Sequence, residues 1–458
     1  MRRILRRVMS LGFVRRAALR LLLLRERLSS GASYNPLSAE LHQSPYETYA
    51  RLRENSPVHR TTLVRGWVLS RHADIDAVLR DHRRFSSDRR ASPNFERRSQ
   101  IGQMDQLLVE AGIEKVTRDN LRRAVEEPSL LGLDPPDHTR LRSLVNKAFT
   151  PKQVEMLRPR IEAVVDELLD AVEDGRVDMM EALANPLPTI VIAELIGVPI
   201  EDRERFKEWS DAVARTLEPT ITHDEQIEAL KANAGLWEYF DAIIEERRAE
   251  PRDDLLSALI AAEEEGDRLT RPEMISTLTL LLVAGNETTT NLIGNGLLAL
   301  LRHPEQLARL RDNPDLMENA VEELLRYDGP VQTDGRTTTE DVVIGGQEIK
   351  AGQQLILLLG SANHDPEVFD EPDELDLGRD VRNHLGFARG NHYCLGAPLA
   401  RAESQIAFER LIARFGSMSL AQEPVFKDHI ILRGMNELWV NVESGTRAEH
   451  ETAAATAT

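Results

Sequence analysis

The only cysteine of this 458-residue chain, Cys394, lies in the glycine-rich stretch His384–Gly396, just ahead of a segment with helical potential, Ala397–Phe415. Gly386, Gly390 and Gly396 permit tight turns around the sulfur. At a helix N-terminus, backbone N–H groups stabilise a thiolate. Taken alone, an isolated cysteine is most simply a small, inert core residue, so the case for chemistry rests on its surroundings. One cysteine excludes a disulfide framework and every multi-cysteine zinc or iron–sulfur site, but not one thiolate on one metal.

Three further groupings could do chemistry. Ala284-Gly285-Asn286-Glu287-Thr288-Thr289-Thr290 interrupts a Leu-rich run with glycine, asparagine and three β-branched hydroxyl residues. That makes a poor helix interior, where either a functional distortion or threonine hydroxyls bonded back to the preceding turn is expected. His138 and Arg142 are four apart and share a helix face, and Glu323 and Arg326 are three apart on another.

These residues need long helices to hold them. Thr270-Arg271-Pro272-Glu273 is a capping sequence and opens a helix expected to reach about Leu301. The middle third, from Val154 to Glu265, reads as amphipathic helices with short connections. Val58–Thr62 and Trp67–Ser70 read as a hairpin around Arg65-Gly66, and Arg336–Thr339, Val343-Ile344 and Gln354–Leu359 read as strands. Met418–Met435 reads as a further hairpin. Residues 88–130 look polar and irregular, as lids and binding loops do, with one apolar helical stripe from Ile101 to Ala111. The fold class is mainly α with a smaller β region. Residues 36–442 are expected to form one domain, between a basic amphipathic extension (1–35) and a flexible tail (443–458).

The net charge of −19 argues against general nucleic-acid binding. No stretch is apolar enough to cross a bilayer, and Leu278–Ala284 is too short. Residues 1–30 stand apart, with eight arginines before the first acid, Glu26, and interspersed apolar residues including Leu19–Leu24. This suits weak contact with a membrane surface or partner, although a frayed basic extension is the plainer reading.

The motifs jointly resemble the cytochrome P-450 haem-thiolate monooxygenases, soluble bacterial class, from about His42 to Val442. The family's cysteine loop, Phe-Gly-x-Gly-x-His-x-Cys-x-Gly, matches at Phe387, Gly390, His392, Cys394 and Gly396, with Ala388 replacing the first glycine. Its distal-helix pattern matches at Ala284, Gly285, Glu287 and Thr288. Its Glu-x-x-Arg pair matches at Glu323 and Arg326, its His-x-x-x-Arg pair at His138 and Arg142, and its arginine before a β-hairpin at Arg336.

The resemblance implies a triangular-prism fold with haem b between the long distal helix and the cysteine loop. Cys394 would be the iron ligand, pushing electron density towards O–O cleavage, with N–H groups near Gly396 tempering its charge. His138, Arg142, Arg336 and His392 would meet the haem propionates. Ala284 and Gly285 would leave space above the iron. Thr288 would steady a proton-delivering water, and Glu287 would carry protons inward. Glu323 and Arg326 would form a buried structural pair. The implied reaction is dioxygen-dependent hydroxylation or epoxidation of a mainly hydrophobic small molecule. No flavin or iron–sulfur segment is present, so NAD(P)H-derived electrons would come through a ferredoxin and its reductase. Arg140, Lys147 and Arg389 are candidates for a basic docking patch. The expected location is cytoplasmic, with peripheral membrane association. A peroxide-using enzyme and a catalytically idle haem-binding sensor are the rival readings.

Overall fold

The computed structural model describes residues 12–445 except 62, 64–65, 93–96, 127–128, 253 and 265–268. The first eleven residues, the tail beyond 445 and Arg65 of the expected hairpin turn therefore lie outside the described residues.

The longer helices are α1 (Gly12–Ser30), α2 (Tyr46–Asn55), α3 (His72–Arg80), α4 (Arg97–Glu110), α5 (Lys115–Glu126), α6 (Asp137–Val145), α7 (Pro151–Asp170), α8 (Pro186–Ile196) and α9 (Arg203–Ala214). They continue with α10 (His223–Ala249), α11 (Leu255–Glu264), α12 (Arg271–Arg302), α13 (Pro304–Asp312), α14 (Met317–Asp328) and α15 (Ala397–Arg414). A five-stranded sheet has the order β1 (Val58–Thr61), β2 (Gly66–Leu69), β8 (Gln354–Leu358), β5 (Thr333–Thr338), β3 (Phe85–Ser86). Only its β2–β8 pair is parallel. β6 (Val342–Ile344) pairs with β7 (Gln347–Ile349), and β10 (Trp439–Ser444) lies between β4 (Gly175–Asp178) and β9 (Phe415–Leu420).

The spine is α12. Thr270 Oγ1 accepts from Glu273 N at 3.3 Å, and the Glu273 carboxylate accepts from Thr270 N at 2.8 Å, so the capping box read from sequence closes. Leu278, Leu282, Leu297 and Leu300 bury α12 in the main core among α7, α8, α10, α14 and α15. Four amide or carboxylate side chains are buried inside the helix, Asn286, Glu287, Asn291 and Asn295, besides the hydroxyls of Thr277, Thr289 and Thr290. Each needs a partner to offset its lost hydration.

Three expectations need correction. Residues 88–130 contain a second helix, α5, because Leu121 seats in the core while its charged neighbours give the segment its polar look. The hairpin expected within Met418–Met435 is reduced to one antiparallel bridge, Phe426 with Met435, since β9 pairs with β10 instead. The intervening chain crosses α12, where Lys427 reaches Glu287 and the Arg433 carbonyl reaches Asn295, meeting part of that polar demand. The backbone distortion expected near Gly285 is also missing, and α12 runs unbroken.

Candidate active site

Cys394 opens towards α15 and packs with Phe387, Leu325, Ala397 and Leu292. Its N–H donates to the Phe387 carbonyl at 2.9 Å, closing the loop on itself. Burial pushes the thiol up, against the N–H groups of Gly396 and Ala397, which bond the sulfur, and the nearby Arg142 and Arg401. The half-buried sulfur thus has a helix N-terminus and two cations aimed at negative charge.

Two turns of this loop use left-handed backbone. Gly390 has φ +70°, and a side chain there would strike the Leu79 carbonyl. Ala388 has φ +55°, a conformation that costs a non-glycine residue about 1–2 kcal/mol. The restriction implied by alanine at this position is therefore real backbone strain.

Arg142 donates to the carbonyls of Asn391 (3.0 Å) and Tyr393 (2.6 Å). Both terminal nitrogens thus clamp the loop. A brace that the sequence reading missed lies opposite. Arg401 of α15 bonds Glu322 of α14 (2.9 Å from Nη2), donates to the Tyr393 hydroxyl at 3.2 Å and stacks over Phe387 at 4.5 Å. Glu322 also pairs with His384 at 2.8 Å. Burial would raise the Glu322 carboxyl, yet Arg401 and His384 together hold it down at about 2. The only sequence signal for this brace was Arg401, seven residues beyond the cysteine on the helix that follows it.

One residue along, Glu323 and Arg326 form a fully buried two-bond pair (2.6 and 2.8 Å). Arg326 also donates to the carbonyls of Asn363 and Pro372, both at 2.8 Å. The Asn363 side chain in turn accepts from Leu385 N at 2.7 Å, at the head of the cysteine loop.

On the other side of the loop, the rings of His138 and His392 lie 4.3 Å apart. Burial, Arg336 and His138 lower His392 to about 4. The Nε2 atoms of His138 and His392 and Nη2 of Arg336 are all buried without a protein partner. Arg336 is otherwise occupied by Asp334 (2.8 Å) and the Gly335 carbonyl (2.7 Å).

Distal to the loop, Ala284 is exposed on an otherwise buried helix. Gly285 plays a different part from the one expected, since a side chain there would press on Ile192 at 3.1 Å. Its missing bulk serves helix packing, and Ala284 alone gives open space. The Thr288 hydroxyl donates to the Ala284 carbonyl at 2.5 Å, leaving its lone pairs free to accept. Glu287 accepts from Lys427 at 2.8 Å and from Asn291 at 3.3 Å. Burial raises its carboxyl, but Lys427 outweighs this and the net shift is downward. Asn286 accepts from Thr189 of α8 and donates to Ser210 of α9, tying α12 to both.

These residues fit a large planar anion-bearing cofactor. Three orphaned donors cluster beside the loop, as carboxylate recognition requires. Gly396 sharpens the fit. Its φ of −81° suits any residue, and a side chain there would meet no protein atom, so neither backbone nor packing explains a glycine next to the sulfur. Close approach of a flat ring does.

Comparison with known proteins agrees. The profile of the family described as Cytochrome P450 matches residues 106–432. The chain belongs to the cytochrome P450 family. It is 40% identical to "Polyketide biosynthesis cytochrome P450 PksS" of Bacillus subtilis (strain 168), over 89% of this chain and 98% of the relative. It is likewise 40% identical to "Cytochrome P450 monooxygenase PikC" of Streptomyces venezuelae, over 91% and 95%. The structure of P450BioI in complex with a hexadec-9Z-enoic acid ligated acyl carrier protein superposes with a TM-score of 0.78 at 37% identity, covering 88% of this chain and all of that one. This P450 is thus a haem-thiolate monooxygenase of the soluble bacterial type that acts on small hydrophobic substrates, takes haem b and depends on a redox partner.

Of the residues expected in a basic docking patch, two have individual contacts of their own. Arg140 pairs with Glu273, and Arg389 donates to the carbonyls of Arg382 and His384. Lys147 is exposed. A groove of about 560 Å³ beside the loop brace is lined by Glu155, Asp315, Glu318 and Glu322 as well as Arg158 and Arg401. Among the described residues no helix is long and apolar enough to cross a membrane.

Proposed function

We propose that this P450 inserts one oxygen atom of dioxygen into a mainly hydrophobic small molecule of fatty-acyl, terpenoid, steroid or polyketide character, the other atom leaving as water with two protons. Its two electrons come from NAD(P)H through a ferredoxin reductase and a ferredoxin. The single observation that carries the reading is the junction at Cys394, where sulfur-directed N–H groups, an unexplained Gly396 and the orphaned donors of His138, His392 and Arg336 meet. When bound, the haem supplies dioxygen activation and oxygen transfer.

The chain's own residues supply the rest. Cys394 would ligate the iron, and the Gly396 and Ala397 N–H groups would temper its charge. Arg142, Arg401 and Phe387 hold the loop, while His138, His392 and Arg336 Nη2 take the propionates. Above the site, Ala284 leaves room for reactant. Thr288, donating to the Ala284 carbonyl, holds a water by accepting from it, and Glu287 relays protons towards that water when Lys427 swings away. The pair Glu323–Arg326 sets the loop's base. Residues 36–442 act as one monooxygenase domain, with 1–35 as an amphipathic extension and 443–458 as a tail, in the cytoplasm at the membrane periphery. The polyketide context in the name of one relative and the acyl carrier protein bound to another structure support the substrate class.

The test is a spectral-shift screen of the holoenzyme against such molecules, followed by turnover with a surrogate ferredoxin and reductase. Product formed in step with NAD(P)H consumption is expected. Haem-bound protein that binds ligands but never forms product, or that turns over only with added peroxide, contradicts the proposal.

A further inference from the structure

The faces of α1 are sharply sorted. Successive helix residues turn by about 100°, so Leu19, Leu23, Glu26 and Ser30 fall on one line, and all four are buried or half-buried. Glu26 anchors that line. Its carboxylate lies 3.6 Å from His59 Nε2 on β1 and accepts from Tyr34 N at 3.4 Å, and both partners are buried. Ser30 adds a contact to His59 Nδ1 at 3.4 Å. Ala32 and Tyr34, directly after the helix, sit in a core with Leu52, Val68 and Leu358. The helix is therefore held to the body in a fixed rotation.

That rotation turns Leu21, Leu24 and Leu28 straight outwards, at 68%, 53% and 79% exposure. Arg20 and Arg27 flank this stripe on one side and Arg25 on the other, all exposed. The only acid of the helix points inwards. The sequence before it adds Arg2, Arg3, Arg6 and Arg7 among Ile4, Leu5 and Val8. A leucine stripe rimmed by arginines on a chain of net charge −19 is a local exception to the whole surface. A leucine stripe alone would suit a second copy of the chain. The arginine rims repel an identical basic face, and they complement an anionic bilayer.

We propose that α1 is a membrane-docking face, seating Leu21, Leu24 and Leu28 below the headgroups of an anionic lipid surface with Arg20, Arg25 and Arg27 on the phosphates. It deepens the peripheral location proposed above and does not depend on the oxygenase reading. Because Glu26 and His59 fix the helix rotation, docking presents the same side of the enzyme to the bilayer each time. A hydrophobic substrate would then partition into the phase on which the enzyme rests.

The full-length holoenzyme is co-sedimented with phosphatidylglycerol vesicles and with phosphatidylcholine vesicles. Binding to the anionic vesicles at least tenfold tighter than to the neutral ones, and weakened by salt, is expected. Leu21→Gln, Leu24→Gln and Leu28→Gln together should reduce it tenfold or more, with the haem spectrum and detergent-free turnover unchanged. Arg20→Gln, Arg25→Gln and Arg27→Gln together should remove the preference for anionic lipid. Equal sedimentation of the parent and the leucine variant overturns the proposal. So does a dimer seen by analytical ultracentrifugation that the leucine changes dissolve, without vesicle binding by the parent. A failed turnover test with intact vesicle binding would count against the oxygenase reading alone.

Discussion

Around Cys394, charged side chains from three helices converge on one short loop, whereas around Thr288 the polar groups of a single helix are met by a few side chains from distant segments. Arg142, Arg401 and Glu322 hold the loop from α6, α15 and α14, and Glu323–Arg326 fixes its base. On α12, Glu287 relies on Lys427, 140 residues away, and Asn286 on Thr189 and Ser210. The first region is redundant and rigid, as a metal ligand requires. In the second, Glu287 is held from outside its own helix by the single link to Lys427, which is able to open, as proton entry requires.

The steepest test of this contrast is at the loop's base. Glu323→Ala strands the Arg326 guanidinium in a site with no solvent, at a cost of about 3–5 kcal/mol. The expected outcome is aggregated or haem-free protein, read by the ratio of haem to protein absorbance. Full haem occupancy would break the claim that the base is structural.

Thr288→Ala should leave haem occupancy intact and lower product formation on the order of 100-fold. NAD(P)H consumption should continue, with its electrons recovered as peroxide. Unchanged coupling with a confirmed substrate would remove Thr288 from proton delivery.

Lys427→Met probes the single-link side through pH. In the parent, Glu287 titrates below its ordinary value of 4.5, so the stability of the pair is present above that pH and lost as pH falls through the depressed value. In the variant burial dominates and raises the carboxyl, so stability should instead decline as pH rises above 4.5. At pH 7 the loss should be about 1.5–3 kcal/mol by denaturant unfolding. Identical pH profiles would contradict the pairing.

The smallest expected change sharpens the rigid side. Ala388→Gly relieves the left-handed strain and should stabilise the holoenzyme by about 1 kcal/mol, seen as a modest rise in Tm. A lower Tm would show that the alanine methyl contributes more packing than its backbone costs.

The contrast also explains what the sequence disclosed. The Thr270–Glu273 cap, the helix periodicities and the cysteine-loop spacing are local, so they were readable from neighbouring residues. The brace through Glu322, Arg401 and His384 was not, because it depends on which helix faces the loop. Likewise, nothing near Lys427 or Glu287 in the chain announces the other, and their pairing arises only when the segment before β10 crosses α12. Gly285 was misread because glycine fits both an open space and a close helix contact, and only the position of Ile192 decides between them.

The central claim is that Cys394 is the haem-iron ligand, and the ferrous–CO spectrum of the parent beside Cys394→Ser tests it most directly. A thiolate-type Soret band is expected in the parent and absent from the variant, while His138 and His392 still allow some haem to bind. A thiolate-type band surviving in Cys394→Ser, or none in the fully haem-loaded parent, would contradict it.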